Sequence, residues 1–304
     1  MRLLRWGQSA YETDASLDLE GRLLAELGVR VQRHPGPRPP MRDIELLAVT
    51  SKVKVDTAFL ETAPKLQLVV TTTSGHEHID LQACRQAGVV VSRSPMARRD
   101  AVVDTALAMG LSLLRQVPAL QARAEQGVWA RGELPELPMR LLRGLRVGIV
   151  GHGVIGERAA ELWRALGADV LTSDADAGHP RSVDELIARC SLLSLHCSLT
   201  PSSDKLINAE RLDAMAPGTV LLNTARGGSV DVEALMSRTH VLAGLDVFPE
   251  EPWPGLQALA KRPGTLVLPH AAGYHVGLGE AVARELADAV SAHIQGRAVP
   301  HALT

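Results

Sequence analysis

Residues 145–174 read LRVGIVGHGVIGERAAELWRALGADVLTSD, and no other stretch restricts the fold of this chain as strongly. An apolar run of strand length leads into Gly151, Gly153 and Gly156 in GxGxxG spacing. A segment with helical periodicity follows, and the next strand ends at Asp174. Glycines so placed let a backbone approach a pyrophosphate, and the helix behind them offers N–H groups and a positive dipole end. The motif alone is weak, because a Gly-rich turn also fits it. The strand before it and the helix after it favour dinucleotide binding. A carboxylate closing the second strand accepts hydrogen bonds from the adenosine ribose and repels a 2′-phosphate. Asp174 therefore points to NAD rather than NADP, against the plainer reading of a turn-forming Asp in SDADAG.

Strand-length apolar runs alternate with helical segments on both sides of this stretch. RLLRW, VRVQRH, IELLAVTS, LQLVVTTT and VVVSRS read as strands before it, with helices expected near 16–27, 56–61 and 80–86. HPGPRPPMRD is a loop by its prolines. A longer helix is expected from about 101 to 116 and is ended near Pro118, where the ring removes a donor. GVWARGELPELPMRLLRG then reads as a connection. From residue 145 the strands LRVGIV, ADVLTS, SLLSLH, TVLLNT, VLAGLD and TLVLPH follow, and a periodic segment at 280–294 closes the chain. Such alternation means parallel βαβ units with right-handed crossovers. The expected fold is α/β, with two Rossmann- or flavodoxin-like domains of parallel sheet and a cleft between them. A length of 304 residues suits about two domains. The first is expected to be discontinuous, residues 1–96 plus 276–304, and the second to span 97–275.

The formal net charge is −2 and charges of both signs are interspersed, so nothing favours nucleic acid or an anionic membrane. The three cysteines make no CxxC pair, which argues against a disulfide framework. The N-terminus lacks the apolar core and cleavage site of a signal peptide, and no apolar run reaches membrane-span length. A soluble, cytoplasmic protein is expected.

LVLPHAAGYH, residues 266–275, ends an apolar run in Pro-His followed by small residues. Such a histidine is either a satisfied strand-end residue or a group placed to move protons. With VGIVGHGVIG, LLNTARGGSVDVEAL, GLDVFPEEP and LPHAAGYH in this order, the chain resembles the D-isomer-specific 2-hydroxyacid dehydrogenase family over nearly its whole length. The resemblance implies that Arg226 binds the substrate carboxylate and keto oxygen. It implies that His270 gives and takes the proton, with Glu251 as its partner, and that Asp246 receives the nicotinamide carboxamide. NAD is the implied cofactor. Its contacts extend from the three glycines and Asp174 to Val154, Ile155, His196, Thr224 and Ala225. In TTTSGHEHIDL, Ser74 and Gly75 match the loop that holds the substrate carboxylate, with His76 beside it. A homodimer built on the cofactor domain is also implied. His76 and His78 have metal-like spacing but no third ligand in sight, so no metal is expected.

The residue types suit that chemistry. Hydride arriving at a keto carbon leaves charge on oxygen, so a proton donor has to stand there. Imidazole titrates near neutrality and serves both directions. A carboxylate beside it fixes the ring and favours its charged form. A guanidinium holds a carboxylate in fork geometry and stabilises developing negative charge. Taken singly, each residue has a plainer reading: Arg226 as a partner of Asp231, Glu251 as a solvated turn residue, His270 as a strand end.

The chain also departs from the family pattern. Thr50 stands where phosphoglycerate and erythronate-4-phosphate dehydrogenases carry an arginine, and Arg98 stands where the family often has Asn. Arg98 and Arg99 read either as a site for an anionic substrate tail or as surface charge at a helix start. The expected activity is NAD-dependent hydride transfer between nicotinamide and C2 of a small D-2-hydroxy acid or 2-keto acid. Two alternatives retain Arg, Glu and His: a dinucleotide-sensing binding protein of the corepressor type and a phosphite-type dehydrogenase. Glu251 disfavours formate oxidation, whose enzymes resemble this family but carry glutamine at that position.

Overall fold

The computed structural model describes residues 1–34, 36–174, 178–179 and 181–304. The chain forms two compact units, Met1–Arg98 with Tyr274–Thr304, and Arg99–Gly273. The first crossing lies inside a helix rather than before it. The helix starts at Met96, where the Met96 and Ala97 N–H groups donate to the Glu285 carboxylate at 3.1 and 2.9 Å, which holds its first turn in the first unit.

The first unit begins β1 (Arg2–Trp6), α1 (Asp14–Glu26), β2 (Arg30–His34), β3 (Leu46–Val49), α2 (Thr57–Leu60), β4 (Leu68–Thr71), α3 (Leu81–Gln86) and β5 (Val90–Arg93). All five strands are parallel, in the order β2-β1-β3-β4-β5. β3 and β4 are buried along their length, as strands covered on both faces should be, whereas β2 at the edge is largely exposed. Thr13, Asp56 and Asp80 stand just before their helices, each accepting an N–H from the first turn. The cap at Thr13 starts α1 two residues earlier than periodicity suggested.

α4 (Met96–Leu114) ends before Gln116, which takes a left-handed φ of 55°. Pro118 does not stop a helix, as was expected. It lies in the first turn of α5 (Val117–Glu125), where a missing N–H leaves no bond unmade. A 3-10 turn at Ala130–Glu136 follows. Then come β6 (Arg146–Val150), α6 (Val154–Ala165), β7 (Asp169–Ser173), α7 (Val183–Arg189), β8 (Leu192–Leu195), α8 (Ala209–Ala214), β9 (Val220–Asn223), α9 (Val232–Met236), β10 (Leu242–Leu245), α10 (Leu256–Ala260) and β11 (Thr265–Val267). These six strands are parallel, in the order β11-β10-β9-β8-β6-β7. The order reverses between β6 and β8, and ligands of open α/β sheets bind beyond the strand ends at such a reversal. Trp163 of α6 is fully buried and packs so tightly on α4 that a Cβ at Gly110 would stand 2.9 Å from its ring.

α11 (Leu278–Ile294) returns the chain to the first unit, burying Leu286 and Val290 in a cluster with Leu3, Leu46 and Leu68. Among the described residues, no helix is long and apolar enough to cross a membrane.

Candidate active site

The glycine loop follows β6. Gly151 has φ +89°, and a Cβ there would lie 2.5 Å from the Cys197 amide nitrogen. The His196 N–H donates to Val150 O at 2.7 Å, so the loops after β6 and β8 meet at the reversal point. A Cβ at Gly156 would fall 1.9 Å from Gly151 O, which excludes any other residue from that position. Gly153 is different, because a Cβ there would meet nothing within 4 Å. Gly153 also caps α6 with no side-chain acceptor, so among the described residues no side chain takes up the leading N–H groups at Val154, Ile155 and Gly156. Such a cradle fits the pyrophosphate of a dinucleotide. Two buried polar atoms nearby in the fold, His196 Nδ1 and Thr224 Oγ1, have no hydrogen-bond partner among the described residues. Asp174 directly follows β7 and accepts the His152 N–H of the glycine loop on Oδ2 at 2.5 Å.

His196 Nε2 meets Ser194 Oγ at 2.9 Å, and burial pulls its pKa from 6.5 to about 4. A histidine held neutral in the fold contributes stability that is complete above pH 6.5 and lost as pH falls toward 4. The loss across that window should be on the order of 3 kcal/mol. Urea unfolding at the two ends of the window should therefore separate wild type from His196→Gln, with the variant losing less on acidification. Equal losses would remove this role.

Arg226 follows β9. Asn223 shapes its loop, accepting the Ala225 N–H at 3.1 Å and donating to Arg226 O at 2.8 Å. Arg226 Nη1 donates to Ala225 O at 2.7 Å. A Cβ at Gly227 would land 1.9 Å from the Phe248 carbonyl carbon, so the Arg226 loop lies directly against the loop after β10. Asp231, the plainer partner for Arg226, instead caps α9 through the Ala234 N–H and pairs with Lys205 at 3.3 Å.

Glu251 and His270 are brought together. His270 Nδ1 and Glu251 Oε2 stand 2.6 Å apart, and Glu251 Oε1 accepts the Phe248 N–H at 3.1 Å. Phe248 and Trp253 stack on either side of this turn in sequence, with ring centroids 5.6 Å apart. With Nδ1–H donated to the carboxylate, the other ring nitrogen, Nε2, is left as an acceptor. His270 is not a strand residue, as the apolar run suggested. β11 stops at Val267, Pro269 has no N–H to extend the ladder, and His270 takes a left-handed φ of 55°.

Asp246 holds that turn. It is buried, its Oδ1 and Oδ2 accept the Ala271 and Ala272 N–H groups at 2.7 and 3.0 Å, and its carbonyl accepts the His270 N–H at 2.7 Å. Burial pushes its carboxyl above the usual range, and the two backbone donors pull the other way. The resemblance pointed to the cofactor for this residue. Its clamp on three consecutive N–H groups was not visible in the sequence.

Ser74, Gly75, His76 and Arg98 belong to the first unit. The carbonyls after β4 are all engaged. Thr72 O accepts from Arg98 Nη1 at 2.8 Å and Tyr11 Oη at 3.2 Å, Ser74 O from Arg93 Nη1 at 3.2 Å, and Gly75 O from Thr73 Oγ1 at 2.8 Å. The Ser74 and Gly75 N–H groups have no acceptor among the described residues, which suits an anion. Arg98 is a brace: its guanidinium sits 4.8 Å over the Tyr11 ring, while Arg99 pairs with Asp100. Nothing in the sequence pointed to Tyr11, which precedes this loop by about sixty residues in the chain and joins it through Thr72 O. His78 Nε2 meets Thr71 Oγ1 at 3.1 Å, and among the described residues no group of three candidate ligands is placed to hold a metal.

Residues 107–272 match the family described as D-isomer specific 2-hydroxyacid dehydrogenase, NAD binding domain. The D-3-phosphoglycerate dehydrogenase of Mycobacterium tuberculosis (strain ATCC 25618 / H37Rv) is 32% identical over 274 residues, which are 86% of this chain and 51% of that one. The chain thus spans about half the length of the phosphoglycerate dehydrogenases it matches. The glyoxylate reductase of Thermococcus litoralis is 30% identical over 268 residues, 81% of this chain and 80% of its own. The crystal structure of D-lactate dehydrogenase from Aquifex aeolicus, complexed with NAD and lactic acid, covers 97% of this chain and 96% of its own at 26% identity, with a TM-score of 0.79. Fold and glycine loop together define a two-domain, dinucleotide-binding α/β protein. The chain belongs to the D-isomer-specific 2-hydroxyacid dehydrogenase family.

Proposed function

We propose that this chain is an NAD-dependent oxidoreductase acting on a small D-2-hydroxy acid or its 2-keto partner, with His270 as the acid and base. The observation that carries the reading is the 2.6 Å pair of His270 Nδ1 and Glu251 Oε2 on a turn clamped by Asp246. NAD, when bound along the glycine loop, supplies or accepts the hydride. His270 Nε2 then gives a proton to the keto oxygen in reduction and removes it from the hydroxyl in oxidation. Arg226 binds the substrate carboxylate and stabilises negative charge on the reacting oxygen. The test is NADH consumption by the purified protein across glyoxylate, hydroxypyruvate, pyruvate, branched 2-keto acids and phosphorylated ones. Turnover with at least one acid is expected. Tight NADH binding with no turnover on any of them would sink the enzyme reading in favour of a dinucleotide sensor.

Asp174 sets the cofactor in this reading. Replacing it with Ala should weaken NADH and bring the NADH and NADPH dissociation constants closer by about tenfold. An unchanged ratio would show that Asp174 does not read the ribose.

We infer a homodimer built on the second unit, in the cytoplasm. The support is an exposed apolar series along residues 117–141, with Trp129 87% and Leu141 72% exposed and Val117, Val128 and Leu134 also turned to solvent. Isolated proteins rarely expose so many large apolar side chains in one stretch. Light scattering should give twice the chain mass, and Trp129→Glu with Leu141→Glu should halve it. A monomeric wild type would overturn the inference.

A further inference from the structure

The glycine loop and the segment after β7 bring two imidazoles together beside Asp174. The His152 and His179 ring centroids are 4.3 Å apart, with the planes tilted by 42°. His152 is held through its backbone and His179 through both backbone and ring. The His152 N–H donates to Asp174 Oδ2. His179 pairs with Asp174 across an antiparallel bridge, its N–H donating to Asp174 O at 3.1 Å, and its Nδ1 meets Thr172 Oγ1 at 3.0 Å. Among the described residues, Asp174 also acts on the Cys197 thiol, which burial pushes up, and Arg181 turns its Nε toward Glu185 at 3.7 Å. Asp176 lies outside the described residues.

We propose that His152 and His179 share with Asp174 the choice between NAD and NADP, and that protonating the imidazole pair admits the 2′-phosphate that Asp174 excludes. The proposal deepens the NAD reading above and rests on it. Asp174 at the end of β7 places one negative charge where the adenosine ribose is read, and a 2′-phosphate brings more of the same sign. Imidazole is the side chain that changes charge between about pH 5 and 8. A single imidazolium packed against the Asp174 segment offsets the carboxylate and supplies N–H donors to a phosphate oxygen. The glycine loop makes no demand on the residue between its first two glycines, so His152 is not there for the turn. Its ring is committed to His179 instead.

The experiment is calorimetric binding of NADH and of NADPH to the whole chain at about pH 8 and about pH 5.5, in wild type and in H152Q/H179N. Asn at 179 keeps an acceptor for Thr172. The 2′-phosphate itself gains a proton near about pH 6, so part of any change belongs to the ligand. The double variant reports that part alone. In wild type the NADPH-to-NADH ratio of dissociation constants should fall about tenfold further on acidification than in the double variant. Equal pH dependence in the two proteins overturns the proposal. A second measurement needs no variant: the imidazole proton resonances of His152 and His179 should titrate at higher pH with NADPH bound than with NADH, and identical titrations overturn it too. Failure of both dinucleotides to bind at either pH would instead overturn the NAD reading on which the proposal stands.

Discussion

His270→Ala should lower kcat by about 10³- to 10⁴-fold, the upper part of what a positioned acid and base contributes, while the NADH dissociation constant stays within about threefold of wild type. The asymmetry follows from position. His270 lies on the turn after β11, whereas the cradle for the pyrophosphate is at Gly151–Gly156 after β6. Glu251→Gln should cost less, about 10- to 100-fold in kcat. Its amide oxygen can still accept the Nδ1–H, so the ring keeps a partner but loses the charge opposite it, while the NH₂ faces the Phe248 N–H. Because Glu251 acts through His270, the double variant should be no worse than His270→Ala alone. Residues that act as a unit are non-additive in this way. Stopped-flow single turnovers with NADH and the best keto acid from the panel would measure all three. If His270→Ala retained wild-type turnover, the proton would have to come from elsewhere and the reading of this site would fail.

Much of this was legible because the chemistry sits on local patterns. The glycine spacing, the strand before it and Asp174 at the end of the next strand need only short-range rules, and each lies where those rules put it. Strand identity was equally plain, since β3, β4, β8 and β9 are short, mostly apolar runs buried along their length. What escaped were features decided by partners remote in sequence. Pro118 looked like a stop and became a start, because Gln116 in a left-handed conformation ends α4 first. His270 looked like the end of a strand, but its backbone is bent by Asp246, twenty-four residues earlier. For Arg98 the sequence offered an anion site or surface charge, and its stacking over Tyr11 and its bond to Thr72 O were not visible there. His152 stands between the first two glycines of the loop. No spacing rule connects it to His179, because the contact depends on how the chain returns after β7.

Asp246→Asn is expected to separate two roles that the sequence merged. A non-glycine residue at positive φ is held against its preference at a cost of about 1–2 kcal/mol, and in this turn the restraint on His270 comes from one buried side chain and its own carbonyl. An Asn there keeps one oxygen acceptor but points an NH₂ at the second backbone donor, so either the Ala271 or the Ala272 N–H is left facing a donor. The turn should relax and His270 should leave the line of the Glu251 carboxylate. We expect kcat to fall about 10²-fold, with NADH affinity changed less than about threefold. Asp246→Glu, which retains the charge but overfills a buried position, should behave no better. If the clamp is the role, the Asn variant should also lose the coupling between His270 and Glu251, so that adding Glu251→Gln to it changes little. The opposite outcome, NADH affinity lost and kcat at saturation kept, would show that Asp246 acts on the nicotinamide carboxamide, and that the turn bearing His270 keeps its shape without it.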